Sequence, residues 1–486
     1  MFDPRRNPAR TQSPLRPFIF GLPTLVLAAL AYGPAAMAAP PKVSCHVDYG
    51  GEVRTFQASP VSSPYGVKPV EVGSYFLFRV VHQVHPADLA TVKVYVFTND
   101  AQGPVPIHQA RYHAKEVRRP TQPGGHGFTG LQRVYEPLRD GELTYWCDTD
   151  RASHRTAAQR ALPLMPVLEG PGAPAPAPMS PINPTPGTMT VLFAGDVMLD
   201  DGPGQVVARG EDPLRHFDAV LRAPDHTIGN LETPVAESGQ PTPTKIYNFR
   251  AHPRVLGAMQ GRFHAVSVAN NHSGDYGQGA FIDTLKRVRD AGISTFGGGM
   301  NLEEAHKPHW VHVNGVKLAV LGYDEFKPRR FEAGATTPGV AWSEDEQAVA
   351  DIRAARAAGA DVVIPFMHWG WERERQPTER QRRLARLLID AGADAVVGGH
   401  PHVTQGAELY RGKPIVYSLG NFVFDSFDDV PGGTTGWLLR LQLDKKGVVA
   451  WDTVVAEMDT EGVPSPRPGT ASPCGTRGQL NLCINR

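Results

Sequence analysis

The stretch Thr190-Val-Leu-Phe-Ala-Gly-Asp196 places a carboxylate directly after a short apolar run. A continuous apolar run of this length is typical of a strand that is buried on both faces of a parallel sheet. Similar runs lie further along the chain, at residues 265–269, 317–321, 361–366, 394–397 and 414–417. The sequence therefore predicts buried strands at these segments.

Predicted helices separate the predicted strands. Residues 276–291 are expected to form one of them. Ser343-Glu-Asp-Glu346 and Thr378-Glu-Arg-Gln381 both have the capping-box pattern that begins many helices. This alternation of strand and helix predicts an α/β arrangement over residues 190–460.

Polar side chains follow the strands at the points where the strands end. Ligands bind outside the carboxyl ends of the strands in open α/β sheets, so these side chains are expected to converge. Carboxylate, amide and imidazole groups suit divalent transition metals, and a carboxylate can bridge two ions. The sequence therefore predicts a metal site. The strand ends present Asp196, then Asn230-Leu-Glu232 after a short strand at 226–229, Asn270-Asn271-His272, His368, and His400 with His402.

Six motifs follow one another along the chain: Gly195-Asp-Val-Met198, Asn230-Leu-Glu232, Ala269-Asn-Asn-His272, His368-Trp-Gly370, Gly399-His-Pro-His402 and Tyr417-Ser-Leu-Gly-Asn-Phe422. In this order they resemble the CapA family of capsule and poly-γ-glutamate synthesis proteins, which is related to calcineurin-like metallophosphoesterases. The resemblance covers residues 190–425 and implies an α+β class, with a four-layer α-β-β-α sandwich and the metals between loops at one edge of two sheets. It also implies two divalent metal ions, Mn, Fe or Zn.

The resemblance also implies a role for individual residues. His272 corresponds to a general acid that protonates the leaving oxygen. Met198 stands where the superfamily's Asp-x-His motif has an imidazole, so the first ion lacks one ligand; Asp275 and Asn421 are possible replacements. The remaining ligand positions are Asp196 and His402 for the first ion, Glu232 as the bridge, and Asn271, His368 and His400 for the second.

Two functions are compatible with these residues. The first is a metal-dependent hydrolase, acting on phosphoester or amide bonds during synthesis, trimming or release of a surface polymer. The alternative is a non-catalytic assembly or export factor that partners a membrane polymer synthase, which the missing imidazole favours. An anionic polymer needs cationic contacts, which Lys245, Arg250 and Lys327 are expected to supply, with Asp275 and Asn421 beside them.

The first 38 residues have the features of a secretory signal peptide. Four arginines precede an uncharged segment at 18–32, and Ala36-Met37-Ala38 forms a cleavage site. An uncleaved anchor over residues 18–39 is the alternative. Cleavage implies an extracytoplasmic protein, periplasmic or secreted, in which disulfides persist. Of the three possible pairings, the simplest joins Cys45 to Cys147 and Cys474 to Cys483.

The remaining segments complete the predicted domain organisation. Residues 39–160 are rich in β-branched and aromatic residues and predict a small β-sandwich-like domain. Residues 161–188 are a proline-rich linker, residues 189–460 the metal-binding domain, and residues 461–486 a C-terminal tail.

Charge and hydropathy exclude two classes of partner. The chain has 49 Lys and Arg against 49 Asp and Glu, so it carries no electrostatic footprint for nucleic acid. It has one long uncharged run, which excludes a multi-span membrane architecture.

Overall fold

The computed structural model describes residues 42–149, 177–178 and 185–485, except 50–51, 74–75, 86–88, 99–103, 118–125, 137–140, 243–244, 246, 328 and 429. The predicted signal peptide and most of the predicted linker lie outside the described residues. None of the helices within these ranges is both long and apolar enough to cross a lipid bilayer.

Residues 42–149, here called the β module, form a sandwich of two sheets. One sheet has the strand order β2-β1-β9-β8, and the other has the order β3-β5-β6-β7 with β4 beside β5. Alternate residues of β1 are buried, as expected for a strand with one face on a core. The predicted β-sandwich is therefore confirmed. The elements are β1 (Val43–Tyr49), β2 (Glu52–Ala58), β3 (Pro60–Val61), β4 (Val70–Val72), β5 (Phe76–Gln83), β6 (Thr91–Thr98), β7 (Val105–His113), α1 (Ala114–Val117), β8 (Gln132–Glu136) and β9 (Gly141–Thr149).

The rest of the described chain forms a larger domain with two large sheets and a two-stranded sheet, β15-β18. Its strands are β10 (Ala177–Pro178), β11 (Met189–Val197), β12 (His226–Leu231), β13 (Ala265–Ser267), β14 (Ser294–Phe296), β15 (Gly298–Gly299), β16 (His309–Val313), β17 (Val316–Asp324), β18 (Gly339–Val340), β19 (Val362–His368), β20 (Val396–Gly399), β21 (Thr404–Tyr410), β22 (Lys413–Leu419), β23 (Asn421–Val423), β24 (Thr435–Asp444), β25 (Gly447–Met458), β26 (Pro464–Pro466), β27 (Ala471–Thr476) and β28 (Gln479–Ile484). Its helices are α2 (Asp201–Ala208), α3 (Asp218–Arg222), α4 (Leu256–Met259), α5 (Gly277–Asp290), α6 (Leu302–Ala305), α7 (Asp345–Ala357) and α8 (Glu379–Ala391).

Strand order explains how the polar strand ends meet. The first sheet runs β10-β28-β27-β25-β24-β11-β12-β13-β14, with β23 beside β11, and the second runs β16-β17-β19-β20-β22-β21. Strands β11 to β14 are mutually parallel, as are β17, β19, β20 and β22. The carboxyl ends of each parallel set therefore lie at one edge of its sheet.

Three apolar layers hold the two sheets and their helices together. Between the sheets, the rings of Phe193 and Phe366 meet edge to face at 5.5 Å. On the outer face of the first sheet, Phe217 and Val288 belong to the core beneath α3 and α5. On the outer face of the second, Leu388 of α8 packs into another core with α7. This is the α-β-β-α layering that the resemblance implies, and it is confirmed.

Of the two predicted capping boxes, the structure contains one. Thr378 and Gln381 form the reciprocal bonds at the start of α8, as predicted. The prediction at Ser343 is wrong, since α7 has Glu344 at its N-cap. The Ser343 hydroxyl precedes the N-cap by one residue and donates to the Glu325 carboxylate at 2.8 Å.

Both predicted disulfides are present. Cys45 on β1 lies directly opposite Cys147 on β9 and is bonded to it. Cys474 and Cys483 join β27 to β28, within residues 461–486. These strands pair with each other and with β25, and so extend the first sheet.

A pair of half-buried histidines joins the two sheets at the amino ends of their strands. Nε2 of His226 on β12 lies 2.9 Å from Nε2 of His309 on β16. Burial, together with the neighbouring His309 and His264, lowers the pKa of His226 to about 3. Burial and His264 lower the pKa of His309 to about 4. The pair is therefore held in its neutral form.

This pair predicts a loss of stability in acid. Between pH 6.5 and about 4 the folded state binds fewer protons at His226 and His309 than the unfolded chain, so the free energy of unfolding falls as the pH is lowered. When the pH is lowered from 7 to 4.5, the free energy of unfolding of His226→Gln should fall by about 1–2 kcal/mol less than that of the wild type. This figure allows for the partial exposure of the side chain. Urea titrations at both pH values measure the difference, with the exposed His216→Gln as the control. An unchanged pH dependence in His226→Gln would contradict the assignment.

Candidate metal centre

The polar strand ends converge in one buried cluster between the two sheets. Asp196 comes from β11, Glu232 follows β12, and His368 ends β19. His400 and His402 follow β20. At most 2% of the surface of any of these residues is exposed, so their polar atoms must be satisfied inside the protein.

Asn230 is the hub of the cluster. Its Nδ2 donates to Asp196 Oδ1 at 2.9 Å and lies 3.2 Å from His368 Nδ1. Its own Oδ1 accepts from Nδ2 of Asn270 at 3.0 Å. The sequence placed both asparagines at strand ends and gave neither a role; their position beside Glu232 and Asn271 was the available signal.

Two groups of three side chains have the spacing of metal ligands. Asp196, Glu232 and His368 form one group, and Glu232, His400 and His402 form the other, with the ligand atoms of each group within 4.8 Å of one another. Both groups contain Glu232, the residue expected to bridge. The structure groups Asp196 with His368, whereas the family resemblance places Asp196 and His402 on the same ion. Nδ1 of His402 lies 3.5 Å from Asp196 Oδ2.

Two buried atoms of the cluster fit metal ligation. Within the described residues, Glu232 Oε1 and His400 Nε2 are fully buried without a hydrogen-bond partner. A buried carboxylate oxygen or imidazole nitrogen without a partner is costly, and a divalent cation would satisfy both. The residues present therefore fit the predicted metal.

The electrostatics of the cluster point the same way. Burial raises the pKa of Glu232 well above its usual range, and the Asp196 carboxylate raises it further. Burial, followed by the other imidazoles, lowers the pKa of His368 and of His400 well below the usual range. Neutral imidazoles and carboxylates in need of a counter-charge are the form in which these side chains bind metals.

Asn271 and Asn421 lie at the edge of the cluster, and Met198 lies in a different environment. Asn271 Oδ1 is 2.8 Å from His368 Nε2, and Asn421 Oδ1 is 2.9 Å from His402 Nδ1. Met198 is fully buried and packs with Phe249. The position of the missing imidazole is thus filled by apolar packing, while Asn421 offers an amide oxygen beside His402.

His272 belongs to a separate charged triad next to the cluster. Its Nδ1 lies 2.7 Å from Asp275 Oδ2, and Asp275 Oδ1 accepts from Lys245 Nζ at 2.5 Å. Burial lowers the pKa of His272, and Asp275 opposes that shift. Asp275 is therefore occupied by His272 and Lys245 and is not placed as a replacement metal ligand. The contact with Asp275 places a proton on Nδ1 of His272, which leaves Nε2 of His272 available to a group in the cavity.

The backbone around the ligands is held in uncommon conformations. His400 has φ of 92° and His402 has φ of 56°, in the left-handed region that glycine favours. A Cβ on Gly399 would lie 2.7 Å from Asp196 Oδ1, so only glycine fits there. Strain of this kind collects at functional sites.

A cavity of about 170 Å³ opens beside Asn271, His272 and His402. Its lining contains two cationic side chains, Lys245 and Arg373. It also contains carboxylates and an aromatic wall that no sequence pattern indicated; these are Asp201, Glu372 and Asp425, with Tyr247, Phe249, Phe326, Phe424 and Phe427.

The other predicted cationic contacts lie elsewhere. The guanidinium of Arg250 stacks 4.5 Å from the centre of the Tyr276 ring. Lys327 Nζ forms an ion pair with Asp48 Oδ2 at 2.7 Å. Of the three predicted cations, the structure brings Lys245 to the cavity described here.

Comparisons with known proteins agree with the motifs. Residues 190–426 match the family model "Bacterial capsule synthesis protein PGA_cap". The chain is 33% identical over 290 residues to the "PGA biosynthesis protein CapA" of Bacillus subtilis, covering 57% of this chain and 73% of the relative. It is 32% identical over 298 residues to the "Capsule biosynthesis protein CapA" of Bacillus anthracis, covering 57% and 69%.

Among solved structures, the NAD nucleotidase of Haemophilus influenzae aligns with a TM-score of 0.34 at 13% identity. The alignment covers 58% of this chain and 54% of that structure, about half of its length.

Proposed function

Because the chain belongs to the PGA_cap family of bacterial capsule synthesis proteins, we propose that it is an exported, metal-dependent hydrolase that acts in the synthesis, trimming or release of a capsule or poly-γ-glutamate-type polymer. The observation that carries the proposal is the Glu232 carboxylate, which is buried, lacks a partner at Oε1, and is shared by both ligand groups. The names of the two Bacillus relatives support the polymer.

The cluster would hold two divalent ions, Mn, Fe or Zn. When bound, such ions lower the pKa of water and polarise the bond under attack. The residues that would hold them are Asp196, Glu232, Asn271, His368, His400 and His402, with Asn421 beside His402.

His272 is proposed as the proton donor to the leaving oxygen. The Asp275 carboxylate accepts a hydrogen bond from the Nδ1–H group of His272, so Nε2 is the atom that carries the transferred proton. The same carboxylate stabilises the imidazolium form. Lys245 anchors the other oxygen of Asp275 and donates to the Asn271 carbonyl at 2.8 Å, so it fixes the general acid relative to a metal ligand.

The charges of the cavity lining disfavour a stretch of polyanion at the centre. Two cations face three carboxylates in its lining, and Asp275 already neutralises Lys245. The aromatic side chains would exclude water from the bond under attack and pack on apolar parts of the substrate. The polymer's remaining charges would lie outside this cavity.

Export is supported by the two disulfides, since such bonds persist in oxidising compartments. Residues 1–38 would direct export and be removed. The protein would then act at the outer side of the membrane, near the polymer or its synthase.

Purified protein provides the test. Metal content is measured by mass spectrometry, and turnover is measured with added manganese on bis(p-nitrophenyl) phosphate and on purified poly-γ-glutamate. We expect about two ions per chain and turnover of at least one substrate that disappears with a chelator. Bound metal without turnover of either substrate would contradict the hydrolase.

That outcome would favour the second candidate function, a non-catalytic assembly or export factor for a membrane polymer synthase. The observation behind it is Met198, which is fully buried against Phe249 where the superfamily has a metal-binding imidazole. A centre with one ligand fewer would retain metal for structure and have less catalytic power.

A further inference from the structure

The β module contacts the metal-binding domain through two aromatic side chains. Phe326 and Trp371 come from the larger domain, yet both belong to the apolar core of the β module, together with Tyr49 at the end of β1. Trp371 is fully buried there. The β module lies outside the residues that match the family model, which begin at 190.

Trp371 makes three contacts with the β module. Its Nε1 donates to the Tyr49 carbonyl oxygen at 2.5 Å, and the Tyr49 ring lies 5.7 Å away. The guanidinium of Arg54 lies 3.6 Å from the centre of the Trp371 ring. Trp371 lies three residues after His368 and two residues before Arg373, which lines the cavity.

Phe326 connects the β module to a metal ligand. Its ring centre is 6.3 Å from that of Tyr49 and 4.2 Å from that of His400. Phe326 also lines the cavity. The next residue, Lys327, is tied to the β module by its ion pair with Asp48.

Tyr49 therefore touches both segments that flank the centre, the one at 325–327 and the one at 369–373. We propose that the β module is a brace for the metal centre and that Tyr49 is its positioning residue. Tyr49 holds Phe326 against His400 and holds Trp371 so that the segment after His368 keeps its path. Its effect on metal binding rests on the proposed function; the bracing of the two segments does not.

The test combines hydrogen–deuterium exchange of the full chain with manganese titration by calorimetry. Tyr49→Ala should raise amide exchange in 325–327 and 369–373 at least tenfold and weaken manganese affinity at least fivefold. Tyr49→Phe keeps the ring and should restore both to within twofold of the wild type. Phe78→Ala is the matched control, because Phe78 lies in the same core and contacts Phe56 and Tyr145. It should loosen the β module and leave both segments protected.

Each result decides the proposal. Unchanged exchange in the two segments of Tyr49→Ala would overturn the brace, and so would equal loosening by Phe78→Ala. Raised exchange with wild-type manganese affinity would overturn the link to the centre. If the wild type binds none of manganese, ferrous iron and zinc, the proposed function fails, and exchange alone decides the brace. If Tyr49→Ala does not fold, Arg54→Ala replaces it, with raised exchange expected in 369–373 and unchanged exchange there as the contrary result.

Discussion

Glu232→Gln is expected to weaken metal binding at least 100-fold and to leave less than one ion per chain after gel filtration. Glu232 is the side chain common to both ligand groups, so its replacement removes a ligand from each. An amide of the same shape keeps the volume of the site and removes the negative charge that attracts the cations. Metal analysis by mass spectrometry and calorimetric titration give the stoichiometry and the affinity.

A second readout separates loss of ligation from loss of folding. Without metal, a buried carboxylate with one oxygen that lacks a hydrogen-bond partner is unfavourable, so the metal-free variant should unfold at a temperature equal to or above that of the metal-free wild type. Glu237→Gln is the matched control, because Glu237 is exposed and pairs with Arg287. Wild-type stoichiometry in Glu232→Gln would refute the metal centre. His400→Ala should also weaken metal binding, since Nε2 of His400 lacks a hydrogen-bond partner and His400 belongs to the second ligand group.

His272→Ala is expected to lower kcat by about 100- to 10,000-fold while metal content stays at the wild-type level, the range typical of a lost general acid. His272 contacts Asp275 and Lys245 and is absent from both ligand groups. Turnover of bis(p-nitrophenyl) phosphate and metal analysis are measured on the same preparation. The exposed His216→Ala is the control.

Asp275→Asn tests the same assignment through the partner of His272. It should lower kcat less than His272→Ala does and shift the alkaline limb of the pH–rate profile to lower pH, because a general acid is active only while protonated and the carboxylate raises the pKa of His272. Loss of metal in His272→Ala would show that this residue is a ligand. Unchanged turnover would remove it from the mechanism.

The family resemblance is confirmed, and so are the four layers and both disulfides. The strands of the large domain could be predicted because an apolar run that ends in a glycine or a polar residue is a local pattern. The cap at Thr378 is equally local. The cap at Ser343 was predicted by the same rule and is wrong. The Ser343 hydroxyl donates a hydrogen bond to the Glu325 carboxylate, a contact outside the helix that the local rule does not consider.

The sequence by itself determined which residues could form the centre. Parallel strands bring their carboxyl ends to one edge of a sheet, so Asp196 and Glu232 meet at an edge of the first sheet, and His368 and His400 meet at an edge of the second. The packing of the two sheets against each other joins these edges. Only the tertiary structure decided what surrounds them. Asn230 becomes the hub, and Tyr49 reaches the centre through Phe326 and Trp371. Those contacts depend on how separate sheets pack against each other, and the spacing of residues within a strand or helix carries no signal of such packing.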